Sequence, residues 1–154
     1  MKKKFMTILI KLLFTSILLL PLNGYSQQEQ SINEINEERF SNNNLKYQVE
    51  YINGIKHGKE IFWYESGSKK IESHFKNGKE NGLWQQWYEN GQIKLKVVYK
   101  NGKENGLWQQ WYENGQIRSS VKFINGQKDG KEIYYNKDGS IKSTDLYEMG
   151  KIIK

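Results

Sequence analysis

Residues 77–93 read NGKENGLWQQWYENGQI, and the same seventeen letters return unchanged at residues 101–117, an offset of 24. Working outward from this pair, the offset organises the glycines. One row holds Gly54, Gly78, Gly102, Gly126 and Gly150. A second holds Gly58, Gly82, Gly106 and Gly130, and a third Gly67, Gly91, Gly115 and Gly139. Together these rows contain 13 of the 14 glycines, so the chain is a repeat array and the glycines mark its turns. Four full units occupy residues 53–76, 77–100, 101–124 and 125–148, preceded by a half repeat at 40–52 and followed by a truncated end at 149–154. The outer units diverge most from the central pair, as end units of an array do when one side meets solvent.

Each unit holds two runs rich in aromatic and β-branched residues, 83–88 and 93–100 in the first central unit, parted by Glu89-Asn90-Gly91-Gln92. A glycine about every eight residues argues against helix. Asn-Gly between two such runs is a strong hairpin signal. The expected fold is all-β: an elongated single-layer antiparallel meander of repeated hairpins, with about nine strands. A two-residue Asn90-Gly91 turn pairs Tyr88 with Ile93 and Trp87 with Lys94. One face then carries Trp84, Tyr88, Ile93, Leu95, Val97 and Tyr99, and the other Leu83, Gln85, Trp87, Lys94, Lys96 and Val98. On that second face each unit opposes an aromatic ring to a cation: Trp63 and Lys70, Trp87 and Lys94, Trp111 and Arg118, Tyr135 and Lys142. A three-residue turn with a glycine bulge would flip the parity and undo the pairing.

Ahead of the array, residues 1–26 have the form of a secretory signal peptide. Lys2, Lys3 and Lys4 precede an apolar run, Pro21 ends it, and Gly24-Tyr25-Ser26 offers small residues before a cut at Gln27. The apolar run after Lys11 is too short to span a bilayer. Removing the four lysines of this segment leaves 20 basic against 17 acidic residues and lowers the formal charge from +7 to +3. The basic pI therefore gives little support to nucleic-acid binding. Residues 27–39 are polar and read either as a flexible spacer or as a short helix capped by Ser31 and Glu34. Cysteine is absent, which excludes disulfides and thiolate metal sites.

The pattern G-x-W-x-x-W/Y-Y-E-N-G-x-I/L-K, followed by aromatic-K-N-G-K-x-x-G, resembles the MORN-repeat-variant family across residues 40–150. Proteins of that family are often described as YwqK-type antitoxins of toxin–antitoxin systems. The resemblance implies a stack of β-hairpins in one twisted sheet, and function by protein–protein contact. An exported member would neutralise a toxin in the envelope or give immunity to one delivered from outside.

Catalytic chemistry finds no foothold in the sequence. His57 and His74 stand alone at different repeat positions, and Glu65, Glu89 and Glu113 recur as turn flanks, whereas a catalytic acid is needed once. No cofactor, metal or enzymatic activity is expected. Phe75, Tyr99, Phe123 and Tyr147 read as core. Trp63, Trp87, Trp111 and Tyr135, with Lys70, Lys94, Arg118 and Lys142, form the candidate binding surface, because a single sheet leaves apolar area uncovered. Its spacing, about 10 Å per hairpin, suits an extended ligand. The expected function is that of a non-enzymatic binding or scaffold protein in the periplasm, at the outer membrane or outside the cell. Its expected partner is a protein, either a toxin or an envelope component, and face-to-face homodimerisation is compatible with an uncovered sheet. The alternative is a module that binds glycan or anionic lipid head groups through the Trp–Lys/Arg face.

Overall fold

The computed structural model describes residues 32–153. The expected signal peptide and residues 27–31 of the spacer lie outside them. The described chain is one open antiparallel sheet of thirteen strands. In chain order these are β1 (Asn33–Arg39), β2 (Leu45–Ile52), β3 (Ile55–Trp63), β4 (Lys69–Lys76), β5 (Lys79–Glu80), β6 (Gly82–Trp87), β7 (Ile93–Lys100), β8 (Lys103–Glu104), β9 (Gly106–Trp111), β10 (Ile117–Ile124), β11 (Gln127–Tyr135), β12 (Ile141–Glu148) and β13 (Lys151–Ile152). Each strand neighbours the next, with β5 and β6 both on β4 and β8 and β9 both on β7. A break at Asn81 divides β5 from β6, and one at Asn105 divides β8 from β9. Counting each divided strand once, β2 to β12 are the nine expected strands.

Beyond those nine, β1 corrects the sequence expectation. Residues 33–39 form neither spacer nor helix but pair along β2, from Asn33 opposite Ile52 to Arg39 opposite Leu45. The free edge of β2 would otherwise expose a row of unpaired N–H and C=O groups, and that demand outweighs a weak helix cap. The half repeat at 40–52 is thereby completed into a full hairpin.

Two turn types alternate, in the reverse of the expected assignment. Asn77 and Gly78 both have positive φ, 51° and 76°, and join Lys76 directly opposite Lys79. This is the two-residue type I′ turn, and it lies between units and not at Asn90-Gly91, where the sequence expectation placed it. It recurs at Asn53-Gly54, Asn101-Gly102, Asn125-Gly126 and, with methionine in place of asparagine, Met149-Gly150. Within a unit, Gly91 N–H donates to the Tyr88 carbonyl, Tyr88 N–H donates to the Gln92 carbonyl, and only Gly91 has positive φ. That is a three-residue loop, a type I turn closed by a left-handed glycine. The Asn90 side chain favours it, accepting from Gln92 N–H at 3.0 Å and donating to the Glu113 carbonyl of the next unit at 3.3 Å.

The three-residue loop places Trp87 opposite Ile93, one register step from the expected pair. A bulge at Lys94 then restores the expected register, so Gln86 meets Leu95 and Trp84 meets Val97. The two shifts cancel beyond the bulge. Trp84, Leu95, Val97 and Tyr99 share a face as expected, while Ile93 moves to the face of Trp87. The same step occurs in all the other units, between Phe62 and Trp63, between Ile117 and Ser119, and between Tyr134 and Tyr135, and also in the first hairpin, between Glu38 and Arg39.

A one-layer sheet has no second layer to bury its core, so the core is a stripe covered by its own neighbours. Val49, Val97 and Val121 are each 1% exposed, and Ser73 continues the row at 2%. Glu60, Trp84, Trp108 and Glu132 lie opposite this row, 24 residues apart. We call this side the valine face. Its buried carboxylates are satisfied. Glu60 accepts from Lys56 Nζ at 2.6 Å, Tyr47 Oη at 2.7 Å and Ser73 Oγ at 3.3 Å, and Glu132 accepts from Lys128 Nζ. Burial and then the Glu60 carboxylate push the Tyr47 hydroxyl well above the usual tyrosine range.

Adjacent units are joined at both margins of the sheet. Tyr64 Oη donates to the Trp87 carbonyl, Tyr88 Oη to that of Trp111 and Tyr112 Oη to that of Tyr135, each at 2.8 Å. At the opposite margin the type I′ turns bond back: Gly78, Gly102, Gly126 and Gly150 donate N–H to the carbonyls of Lys56, Glu80, Glu104 and Lys128. Replacing Tyr88 by Phe keeps the ring and removes one such bond. The expected loss is about 1 kcal/mol, or roughly 3 °C in Tm for a chain of this size. A thermal melt of Tyr88→Phe indistinguishable from the parent would show that the hydroxyl bond adds nothing.

Candidate binding surfaces

The side opposite the valine face carries Leu83, Trp87, Val98, Leu107 and Trp111, and we call it the leucine face. The sequence placed four aromatic–cation pairs here, and the structure corrects them. Trp63 lies opposite Lys69, Trp87 opposite Ile93, Trp111 opposite Ile117 and Tyr135 opposite Ile141. The cations sit instead at the bulge, over the tyrosine that follows each tryptophan. Lys70 is 5.2 Å from the Tyr64 ring centroid, Lys94 is 5.3 Å from that of Tyr88, and Arg118 is 5.8 Å from that of Tyr112. In the last unit Asn136 replaces the tyrosine and Lys142 covers no ring among the described residues. The cause is the bulge, which displaces each cation by one step from its tryptophan. Trp87 does meet a cation, Lys69 of the preceding unit, at 5.4 Å.

Those tyrosines were not singled out as functional by sequence reasoning. A signal existed, since tyrosine repeats in phase at 64, 88 and 112 directly after the tryptophan. Their hydroxyls are committed to the next unit and their ring faces to an internal cation, which makes the Tyr–Lys/Arg row a structural seam.

What distinguishes the surfaces is the contrast between central and outer units. On the leucine face, one row reads Lys59, Leu83, Leu107, Lys131 from the first unit to the last. In the first unit the charges close on one another. Lys69 bonds Glu72, with Lys59 at 3.5 Å and His74 at 3.9 Å. Burial alone would raise the Glu72 carboxyl, but the Lys69 hydrogen bond and the neighbouring positive charges outweigh it and hold it below the usual range. In the centre, Leu83 lies opposite Val98, and the Asn105 N–H bonds the Val98 carbonyl, bringing Leu107 beside it. Val98 is 38% exposed and Leu107 is 49% exposed. Among the described residues no three His, Asp or Glu side chains gather as metal ligands.

The 24-residue hairpin, with its split-type turns, now has a family counterpart. The model of the MORN repeat variant matches residues 56–77, 80–101, 104–125 and 128–149. This chain belongs to the MORN repeat variant family. The four matches cover more than half of it, and each spans one hairpin with the three-residue loop at its middle. The hairpin of β1 and β2 stands one period upstream of the first matched repeat and has the same loop and the same bulge. MORN repeats are in general protein- or membrane-binding modules. Among curated proteins, none matches this chain.

Proposed function

We propose that this MORN-repeat-variant protein is a non-enzymatic binding module, exported from the cytoplasm, that acts as an antitoxin- or immunity-type partner of another protein. The observation that carries the reading is the apolar rung Leu83, Val98 and Leu107 at the centre of the leucine face, set apart from Trp87 and Trp111 by Gln85, Lys96 and Gln109 and with no covering layer among the described residues. An apolar patch edged by Lys96 and Lys122 suits a protein surface with an apolar centre and an acidic rim. The cationic start and apolar run of residues 1–26 support export. The glycan or anionic-lipid alternative drew on tryptophan–cation pairs; Lys70, Lys94 and Arg118 lie over Tyr64, Tyr88 and Tyr112 instead and Lys142 over no ring among the described residues, so that pairing no longer supports it.

The test is co-expression with the product of the adjacent gene, exported to the same compartment, scored by growth. The expected result is that this protein relieves growth arrest and that the double variant Leu83→Asp, Leu107→Asp fails to do so at unchanged Tm. Absence of relief in any neighbouring pair would overturn the antitoxin reading. Full relief by the double variant would remove the leucine face as the contact.

A further inference from the structure

The valine face shows the same contrast of central with outer units in a second row, read on charge: Lys56, Glu80, Glu104, Lys128. In the outer units the lysine fills a slot between a carboxylate and a ring. Lys56 Nζ bonds Glu60 at 2.6 Å and lies 4.9 Å from the Phe75 centroid. Lys128 Nζ bonds Glu132 and lies 4.8 Å from the Tyr147 centroid. The fold thus shows, at both ends of the array, that an ammonium group belongs at this position.

In the central units the rings remain and the lysine does not. Tyr99 and Phe123 stand where Phe75 and Tyr147 stand in the outer units, Glu80 and Glu104 replace the lysines, and Trp84 and Trp108 replace Glu60 and Glu132. Tyr99 is directly opposite Glu104, and its hydroxyl is pushed up by burial, then by the Glu104 and Glu80 carboxylates, so both carboxylates bear on one ring. Neither Glu80 nor Glu104 has a salt bridge among the described residues, and the neighbouring Lys56 and Lys128 are engaged by Glu60 and Glu132. The Glu80 carboxyl is raised by burial, then by Glu60 and Glu104, and Lys56 offsets this only in part.

We propose that the valine face of the two central units is a docking surface for a lysine- or arginine-bearing extended segment of a protein partner, whose cationic groups seat over Tyr99 between Glu80 and Glu104 and beside Trp84 and Trp108. Charge complementarity selects the occupant: a cation restores at the centre the ring–ammonium–carboxylate arrangement that the outer units build from their own lysines. The unit spacing selects its conformation. A polyproline II segment returns a side chain to the same side every three residues, about 9 Å along its axis, close to the roughly 10 Å between units. Two basic residues three apart therefore match two units. This surface is on the opposite side of the sheet from the leucine patch and does not depend on it.

The probe is a fluorescein-labelled peptide with an Arg-Pro-Pro-Arg core, titrated against the purified protein and read by anisotropy. Saturable binding is expected, at least tenfold weaker for the double variant Glu80→Gln, Glu104→Gln and absent for a Gln-Pro-Pro-Gln peptide. The double variant relieves like-charge repulsion, so its Tm should equal or exceed the parent's, which separates lost binding from lost folding. Leucine-face variants Leu83→Asp and Leu107→Asp should bind the peptide as the parent does. Equal affinity of the Glu→Gln double variant, no saturable binding by the parent, or loss of binding in the leucine-face variants would each overturn the proposal.

Discussion

Val97→Asp is expected to unfold the sheet from its centre. Val97 is 1% exposed in the stripe, opposite Trp84, and no described cation stands in that stripe within the central units. A carboxylate there is stripped of water with nothing to compensate it, at a cost of about 4 kcal/mol or more. Against a typical stability of about 5–15 kcal/mol, this lowers Tm by roughly 12 °C and brings the protein near its unfolding threshold. The same row shows why charge and not mere polarity is the decisive change. Ser73 sits one unit earlier at 2% exposure, but Glu60 accepts its hydroxyl. Asp145 occupies the row in the last unit, where it is only half-buried. Val97→Ser, with no Glu60 equivalent beside it because Trp84 takes that place, should lose about half as much or less. Far-UV circular dichroism melts of the two variants check this. A Val97→Asp Tm within a few degrees of the parent would mean that the stripe is not the core.

Excising residues 77–100 is expected to do far less damage than removing a 24-residue block from an ordinary domain. Strand β4 meets β6 through Ile71 opposite Gln86 and Glu72 opposite Gln85. After excision it meets β9, whose six residues GLWQQW are those of β6. Tyr64 then finds the Trp111 carbonyl in place of that of Trp87, and the Gly102 N–H finds the Lys56 carbonyl in place of that of Glu80. The new seam repeats the old one residue for residue. Stability in such arrays is close to a sum of units and interfaces, so the shortened protein should remain a folded sheet and lose one unit and one interface. The expected signature is unchanged ellipticity per residue and a cooperative melt at a Tm lower by several degrees. Excising only residues 77–88 removes one strand of a hairpin, so every strand from β7 onward reverses relative to β4. Their loops then move to the opposite margin, away from the tyrosine and glycine bonds that join units, and the product should be insoluble. A molten product from the 24-residue excision would defeat the modular account.

Much of this fold was legible because its turns are written in glycine. Period and strand count follow from spacing, whereas the shared face of Trp84, Val97 and Tyr99 came out as expected because the extra loop residue and the bulge at Lys94 cancel. The two turn types were not legible, because both are spelled Asn-Gly. At residue 77 the asparagine takes positive φ itself, whereas at residue 90 its side chain bonds the next unit and leaves the glycine alone in the left-handed region. The bulge at Lys94 leaves no mark in a strand that is polar there anyway, so the aromatic–cation pairs came out one residue away from where they lie. Strand β1 was missed because an edge strand needs little apolar alternation, and NEINEER has almost none. The contrast between central and outer units was present in the rows at 56 and 59 but had no meaning until the topology showed which side each row faces.

The identity of β6 and β9 has a consequence for how the chain finds its register. A folding chain can close β4 onto β9 with residues 77–100 looped out, and every contact at that seam is then native in kind. Closing the longer loop costs little extra, because closure entropy grows only with the logarithm of length. Side-chain recognition at the seam therefore cannot tell the right neighbour from the wrong one. What discriminates is the hairpin forfeited in the loop, so the order of this array is kept by chain connectivity and not by complementarity between its strands.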